Sequence, residues 1–206
     1  MLQPAGHILD SSSVLIEIGG RRVVLSGDLG RLHHPLLQAP SPTPECDVIV
    51  VESTYGDRGH EPDGLGALAD VVHRTLDRRG SVLIPAIAVD RTEVILMALK
   101  RLTEEGRIPH VPVYVDSPMA LGALRIHQQA LESHAPDVRT DRGLDALVFD
   151  PGDLRETHSA QESMALNDPR LPCVIVSASG MATGGRVVHH LRHLLPDRRN
   201  SLVLVG

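Results

Sequence analysis

Two rhythms of apolar and polar residues divide this chain. Over its first quarter the pattern is that of strands. Residues 13–18 alternate, Gly19-Gly20 turns and residues 21–25 return, which predicts a β-hairpin with glycine at both turn positions. The returning strand lies within VVLSGDLG (residues 23–30), read as a buried strand ending in a tight loop with one carboxylate, Asp28, at its tip. Such a carboxylate is either a metal ligand or a turn residue. Residues 31–45 turn to loop composition, with four prolines and a His33-His34 pair expected to be solvated. The apolar run DVIVV (47–51) then predicts a strand buried on both faces, with a second carboxylate, Glu52, at its end.

From about residue 59 strands alternate with helices. Leu65, Leu68, Ala69, Val72 and Leu76 share one helical face, and residues 81–85 form a strand. Asp90, with Glu93 three residues on, reads as a capping box for a helix lined by Val94, Met97, Ala98 and Leu102. A strand over 111–115 leads to Ser117-Pro118, a cap and first-turn proline for a helix over about 120–133. Residues 137–155 are poorly patterned, with a short strand candidate at 146–149. A helix over 159–166 and a strand over 172–176 follow. The glycine-rich stretch SASGMATGGR (177–186) then opens a helix with Val187, Val188, Leu191 and Leu195 on its apolar face, and a strand begins at 201. This order predicts an α/β architecture with a parallel, helix-covered sheet.

Composition narrows the function classes. The 206 residues, 42% apolar and 22% charged, are enough for one large domain or two small ones. No apolar run approaches the ~20 residues that span a membrane, and no signal peptide is visible. Cys46 and Cys173 read as reduced core thiols of a cytoplasmic protein. A net charge of −6 argues against coating nucleic acid by bulk electrostatics, though not against a locally basic cleft. With one Phe, two Tyr and no Trp, the chain has few rings on which bases stack, and its core must be aliphatic. The loop at 177–186 lacks both the G-x-x-x-x-G-K-[ST] and the G-x-G-x-x-G patterns of nucleotide-phosphate loops. His189 and His193 stand one helical turn apart, without the glutamate of a protease metal motif, and are placed on the solvated side of the last helix.

Taken together, the ordered series is specific: AGHIL around His7, SGDLG with Asp28, VVESTYGDR with Glu52, IPAIAVDRTE, VPVYVDSPMA and VSASGMATGGRVVHHL. Over nearly the whole chain it resembles the metallo-β-lactamase-fold ribonucleases of the β-CASP family, which include bacterial RNases and the cleavage-factor nucleases of messenger-RNA 3′-end processing. The resemblance implies a partial metallo-β-lactamase αββα sandwich (residues 1–58), an inserted β-CASP domain (59–196) and the start of a return strand (197–206). It makes His7 a zinc ligand, Asp28 the carboxylate shared by two zinc ions, and Glu52 an acidic residue that orients a catalytic histidine. Ser177, Ser179 and Gly180, with Arg91, become residues near the phosphates of an RNA substrate. The chemistry is consistent: two zinc ions about 3.5–4 Å apart lower the pKa of a bound water to about 7, and backbone N–H groups ahead of a helix suit a phosphate.

Departures from the family pattern shape the expectation. The His-x-His-x-Asp-His signature belongs upstream of His7, two further histidine motifs belong after the last strand, and no His-x-His occurs in the chain. The expected molecule is therefore an internal fragment of a zinc-dependent ribonuclease, carrying two of the ligands, binding zinc weakly or not at all, and inactive alone. The alternative is a non-catalytic β-CASP-like module that binds RNA or a protein partner. A sandwich lacking its early strands leaves a sheet face uncovered, which predicts aggregation or cover by a second copy or a complementing partner. Asp10 and Asp90 stand where the family carries glycine, and Ile87 replaces an aromatic residue.

Overall fold

The computed structural model describes residues 1–57 and 64–205. The chain divides into two compact units, one of residues 1–61 and 129–145, the other of residues 62–128 and 146–206. The boundary expected at residues 58–59 and the last residue of the expected return strand, Gly206, lie outside the described residues.

The first unit is built on a four-stranded sheet in the order β1 (Leu2–Pro4), β2 (Ser12–Ile18), β3 (Arg21–Leu25), β4 (Val48–Val50). The β2–β3 hairpin forms as the alternation predicts, with Gly19 and Gly20 both at positive φ, the conformation a two-residue turn demands. Strand β4 pairs with β3 in parallel. It is not buried on both faces: Val48, Ile49, Val50 and Val51 are 44%, 48%, 56% and 54% exposed. Strand pairing satisfies the backbone of a strand but does not cover its side chains, and among the described residues β3 is the one sheet neighbour of β4. The proline-rich loop supplies core instead. Leu36 and Leu37 are fully buried, and buried His34 accepts the backbone N–H groups of both on Nδ1. His34 is thus a loop-organising acceptor rather than a solvated side chain, while its neighbour His33 is exposed.

The second unit carries five parallel strands in the order β7-β6-β8-β5-β9, with β5 (Val82–Pro85), β6 (Val113–Asp116), β7 (Leu154–Glu156), β8 (Val174–Ser177) and β9 (Ser201–Leu202). Helices α1 (Gly64–Asp77), α2 (Arg91–Glu104), α3 (Pro118–Glu132), α4 (Ala160–Ala165) and α5 (Arg186–Leu194) lie between the strands in sequence. Strands β5 and β8 are buried at every residue, as expected of a sheet covered on both sides. Ser117 caps α3 by accepting the Ala120 N–H, and Ser159 with Glu162 forms a complete capping box on α4.

Three local expectations are corrected. Residues 146–149 form a 3-10 turn rather than a strand, packed against α2 with Phe149, the one Phe of the sequence, fully buried. Asp90 precedes α2 but makes no capping hydrogen bond, since its φ of 69° lies outside the extended conformation of an N-cap. On α5 the buried face is Val187, His190 and Leu194, whereas Leu195 is exposed at the helix end.

Candidate functional site

In the first unit, the loops holding His7, Asp28 and Glu52 gather at one end of the sheet. The Gly30 N–H donates to the Ala5 carbonyl at 2.9 Å, and a side chain on Gly30 would meet the Gly6 carbonyl oxygen at 1.6 Å, so only glycine lets these loops touch. The His7 N–H donates to Ser11 Oγ at 2.9 Å, and the Glu52 N–H donates to Ser26 Oγ at 3.0 Å. Glu52 in turn accepts the Thr54 N–H at 2.8 Å and the Leu29 N–H at 3.4 Å. Donation from Thr54, backbone and side chain, and then from Leu29 holds its carboxyl below the usual glutamate range; the nearby His7 adds to this. His7 and Asp28 are exposed on their loops. Asp10 sits beside them at φ 61°, so the aspartate occupies a backbone conformation that glycine adopts at no steric cost.

Among the described residues no group of three or more His, Cys, Asp or Glu side chains is arranged to hold a metal ion. His7 and Asp28 fall short of the three protein ligands a catalytic zinc requires. These residues alone do not fit a metal centre.

In the second unit, the loops after β5, β6 and β8 form the carboxyl end of the parallel sheet, where ligands of open α/β folds bind. They enclose a crevice of about 570 Å³, lined by Ile87, Ala88, residues 116–119, 178–181 and 184–186. Ser179 and Gly180 line it. Ser177 lies beneath, fully buried, its hydroxyl donating to the Asp116 carbonyl at 3.0 Å. Arg91 opens α2, and its backbone N–H donates to the Val89 carbonyl at 2.9 Å.

The strongest polar feature of this unit escaped the sequence reading. Asp116, at the end of β6 and fully buried, accepts from Arg186 Nη1, His190 Nε2 and Ser163 Oγ, each at 2.6 Å. Arg186 Nη1 also donates to the Thr157 carbonyl at 3.2 Å, and His190 Nδ1 lies 2.8 Å from Asn167 Oδ1. Burial pushes the Asp116 carboxyl up, but His190, Ser163 and Arg186 together outweigh it and leave the group below its ordinary value. One carboxylate thus ties the end of β6 to α4 and to both turns of α5 that follow the glycine-rich loop. A sequence signal existed: Arg186 and His190 are one helical turn apart, the spacing that puts two side chains on one face.

The second unit is a parallel, helix-covered sheet with its loops assembled at the strand ends, an α/β arrangement consistent with a β-CASP fold. A family model described as Beta-Casp domain matches residues 92–206, and the chain belongs to that family. It is 38% identical over 204 residues to Ribonuclease TTHA0252 of Thermus thermophilus, covering 98% of this chain and 47% of that protein. It is 33% identical to Transcription termination factor FttA of Thermococcus kodakarensis, covering 100% of this chain and 33% of the relative. It is 30% identical to Endoribonuclease YSH1 of Mycosarcoma maydis, covering 98% and 23%. The chain therefore spans less than half the length of each of these relatives. Among the described residues no helix is long and apolar enough to cross a membrane.

Proposed function

We propose that this chain is the part of a metal-dependent β-CASP ribonuclease that carries one end of the metal site and the RNA-facing edge of the β-CASP sheet. In this reading residues 1–58 belong to the metallo-β-lactamase domain, 59–196 form the β-CASP domain and 197–206 begin the return strand. His7 and Asp28 contribute to a zinc centre whose other ligands come from outside these 206 residues, and Glu52 positions a histidine supplied from there. Ser179 and Gly180 contact the RNA, with Ser177 and Arg91 behind them, and the whole acts in the cytoplasm on phosphodiester bonds. The observation that carries the reading is the convergence of the His7, Asp28 and Glu52 loops at one sheet end, held by the Gly30–Ala5 and Glu52–Leu29 hydrogen bonds.

A different observation supports a second reading: with no group of three ligand side chains among the described residues, the chain by itself would act as a non-catalytic β-CASP-like module that binds RNA or a protein partner. One experiment weighs both. Purified 206-residue protein is incubated with labelled single-stranded RNA with and without Zn2+, and cleavage and binding are scored. The proposal expects RNA to be bound and left intact. Zinc-dependent cleavage by this chain alone would contradict the incomplete centre, and failure to bind RNA in either condition would count against an RNA-facing edge.

A further inference from the structure

We propose that the crevice at the carboxyl ends of β5, β6 and β8 is a nucleobase pocket. It takes one unpaired base of an RNA strand between the Met119 and Met181 side chains, with the Ser179 hydroxyl as its hydrogen-bond partner. The proposal rests on the RNA reading above and specifies the chemical group that this edge receives.

The crevice has the size of a small-molecule site, about 570 Å³ against a usual range of about 300–1,000 Å³. Its walls are largely apolar, formed by Ile87, Ala88, Pro118, Met119, Ala178 and Met181. Met119 and Met181 stand 69% and 83% exposed, far more than thioethers with a packing role. Sulfur is polarizable and makes favourable contacts with aromatic rings, and neither the single Phe nor either Tyr lines the crevice. Here methionine takes the place that a stacking ring holds in other RNA-binding proteins.

The electrostatics select the base rather than the phosphate. Among the described residues lining the crevice, the charged side chains are Asp116 and Arg186, and they neutralise each other at 2.6 Å. Asp116 is further engaged by His190 and Ser163, and Arg186 by the Thr157 carbonyl. A dianionic phosphate would find the backbone N–H groups at the start of α5 but no uncommitted cationic side chain among these residues, whereas a flat, neutral heterocycle loses little on entering. Ser179 Oγ supplies the complementary polar feature. It is buried without a hydrogen-bond partner among the described residues, a state that native proteins rarely leave uncorrected and that the polar edge of a base would relieve. Gly180 holds the loop in place: a side chain there would come within 2.9 Å of both the Ile87 backbone nitrogen and its Cγ1.

The test uses the purified chain with its five methionines carrying ¹³C at the ε-methyl, read by NMR, with Met119→Leu and Met181→Leu assigning the two resonances. Adenosine monophosphate is expected to move both methyls upfield through the base's ring current, and ribose 5-phosphate to leave them in place. Equal shifts with ribose 5-phosphate would make this a phosphate site and overturn the proposal. So would still methyls up to the solubility limit of the nucleotide. A fluorescent single-stranded RNA titrated in parallel separates the two readings. Bound RNA with unmoved Met119 and Met181 refutes the pocket and leaves the RNA reading standing. Methyl shifts with the nucleotide but no binding of the oligomer support the pocket and refute the RNA reading.

Discussion

Asp116→Ala is expected to destabilise the parallel-sheet unit by about 3–5 kcal/mol, the usual effect of removing one member of a buried charged network. The alanine leaves His190 buried and Arg186 largely so, both facing a void where a carboxylate had accepted three hydrogen bonds at 2.6 Å. It also releases α4 and the first turn of α5 from the end of β6. Asp116→Asn keeps the volume and loses the charge, so it should fall between alanine and the parent. The sign of the pH effect follows from the lowered pKa of Asp116. A carboxyl lowered in the folded state contributes stability that is present above its unfolded pKa and is lost as pH falls through the folded one. The parent network is therefore intact at neutral pH and fails only in acid. Urea unfolding at pH 7 reads the effect through the midpoint at constant slope. A shift of the alanine variant worth less than about 1 kcal/mol would mean that the network adds nothing to the fold.

Stability of the same unit is expected to fall between pH 5 and pH 8 because of Glu93. This residue of α2 is fully buried, and among the described residues no side chain hydrogen-bonds its carboxylate; the backbone N–H groups of Glu93 and Asp90 only partly offset the burial. His127, also buried, approaches to 3.5 Å through Nδ1, which donates to the Ala123 carbonyl at 2.9 Å. Burial is the largest cause, joined by the negative charge of Asp90, and pushes the Glu93 carboxyl up from 4.5 to about 7. The unfolded chain releases this proton near 4.5 while the folded chain holds it to about 7. Stability is therefore complete below the lower value and declines through the interval, by about 3 kcal/mol once both forms are ionised. Glu93→Gln mimics the protonated acid and should remove this component. To cancel every other pH-dependent contribution, the measurement is the difference between parent and variant in urea midpoint at pH 5 and pH 8. A difference that does not change with pH would refute the assignment.

The sequence made some of this legible and hid the rest for identifiable reasons. Hairpin, alternating strands and helices, and the cap at Ser117 are local features, set by side chains within a few residues of each other. The exposure of β4 is not local. An apolar run reads as buried whether or not anything covers it, and only the sheet order shows β4 at an edge. His34, Glu93 and His190 were hidden for the opposite reason: each is a polar residue whose burial depends on partners, backbone groups or side chains, fixed by tertiary folding. Asp10 and Asp90, seen in the sequence as replacements of glycine, acquire a physical meaning from the backbone. Both hold positive φ, a conformation that aspartate tolerates better than most residues.

Candidate residues were affected in the same way. The loops of His7 and Asp28 meet because glycine at 30 permits a close approach to the Gly6 backbone, which the spacing of the motifs alone does not reveal. Around the crevice, Ser179 and Gly180 line a largely apolar site, Ser177 lies buried beneath it and Arg91 is not part of its lining. The thioethers of Met119 and Met181 and the paired Asp116 and Arg186 give that site its character.

In the proposed function His7 and Asp28 contribute to a metal centre completed by residues outside these 206, and Glu52 orients a histidine there. Determining the coding sequence on both sides of this reading frame tests it most directly. The account predicts an open frame in both directions, with a His-x-His-x-Asp-His motif upstream and further histidines downstream of the last strand. In-frame stop codons immediately flanking both ends would contradict it and leave the chain as a binding module.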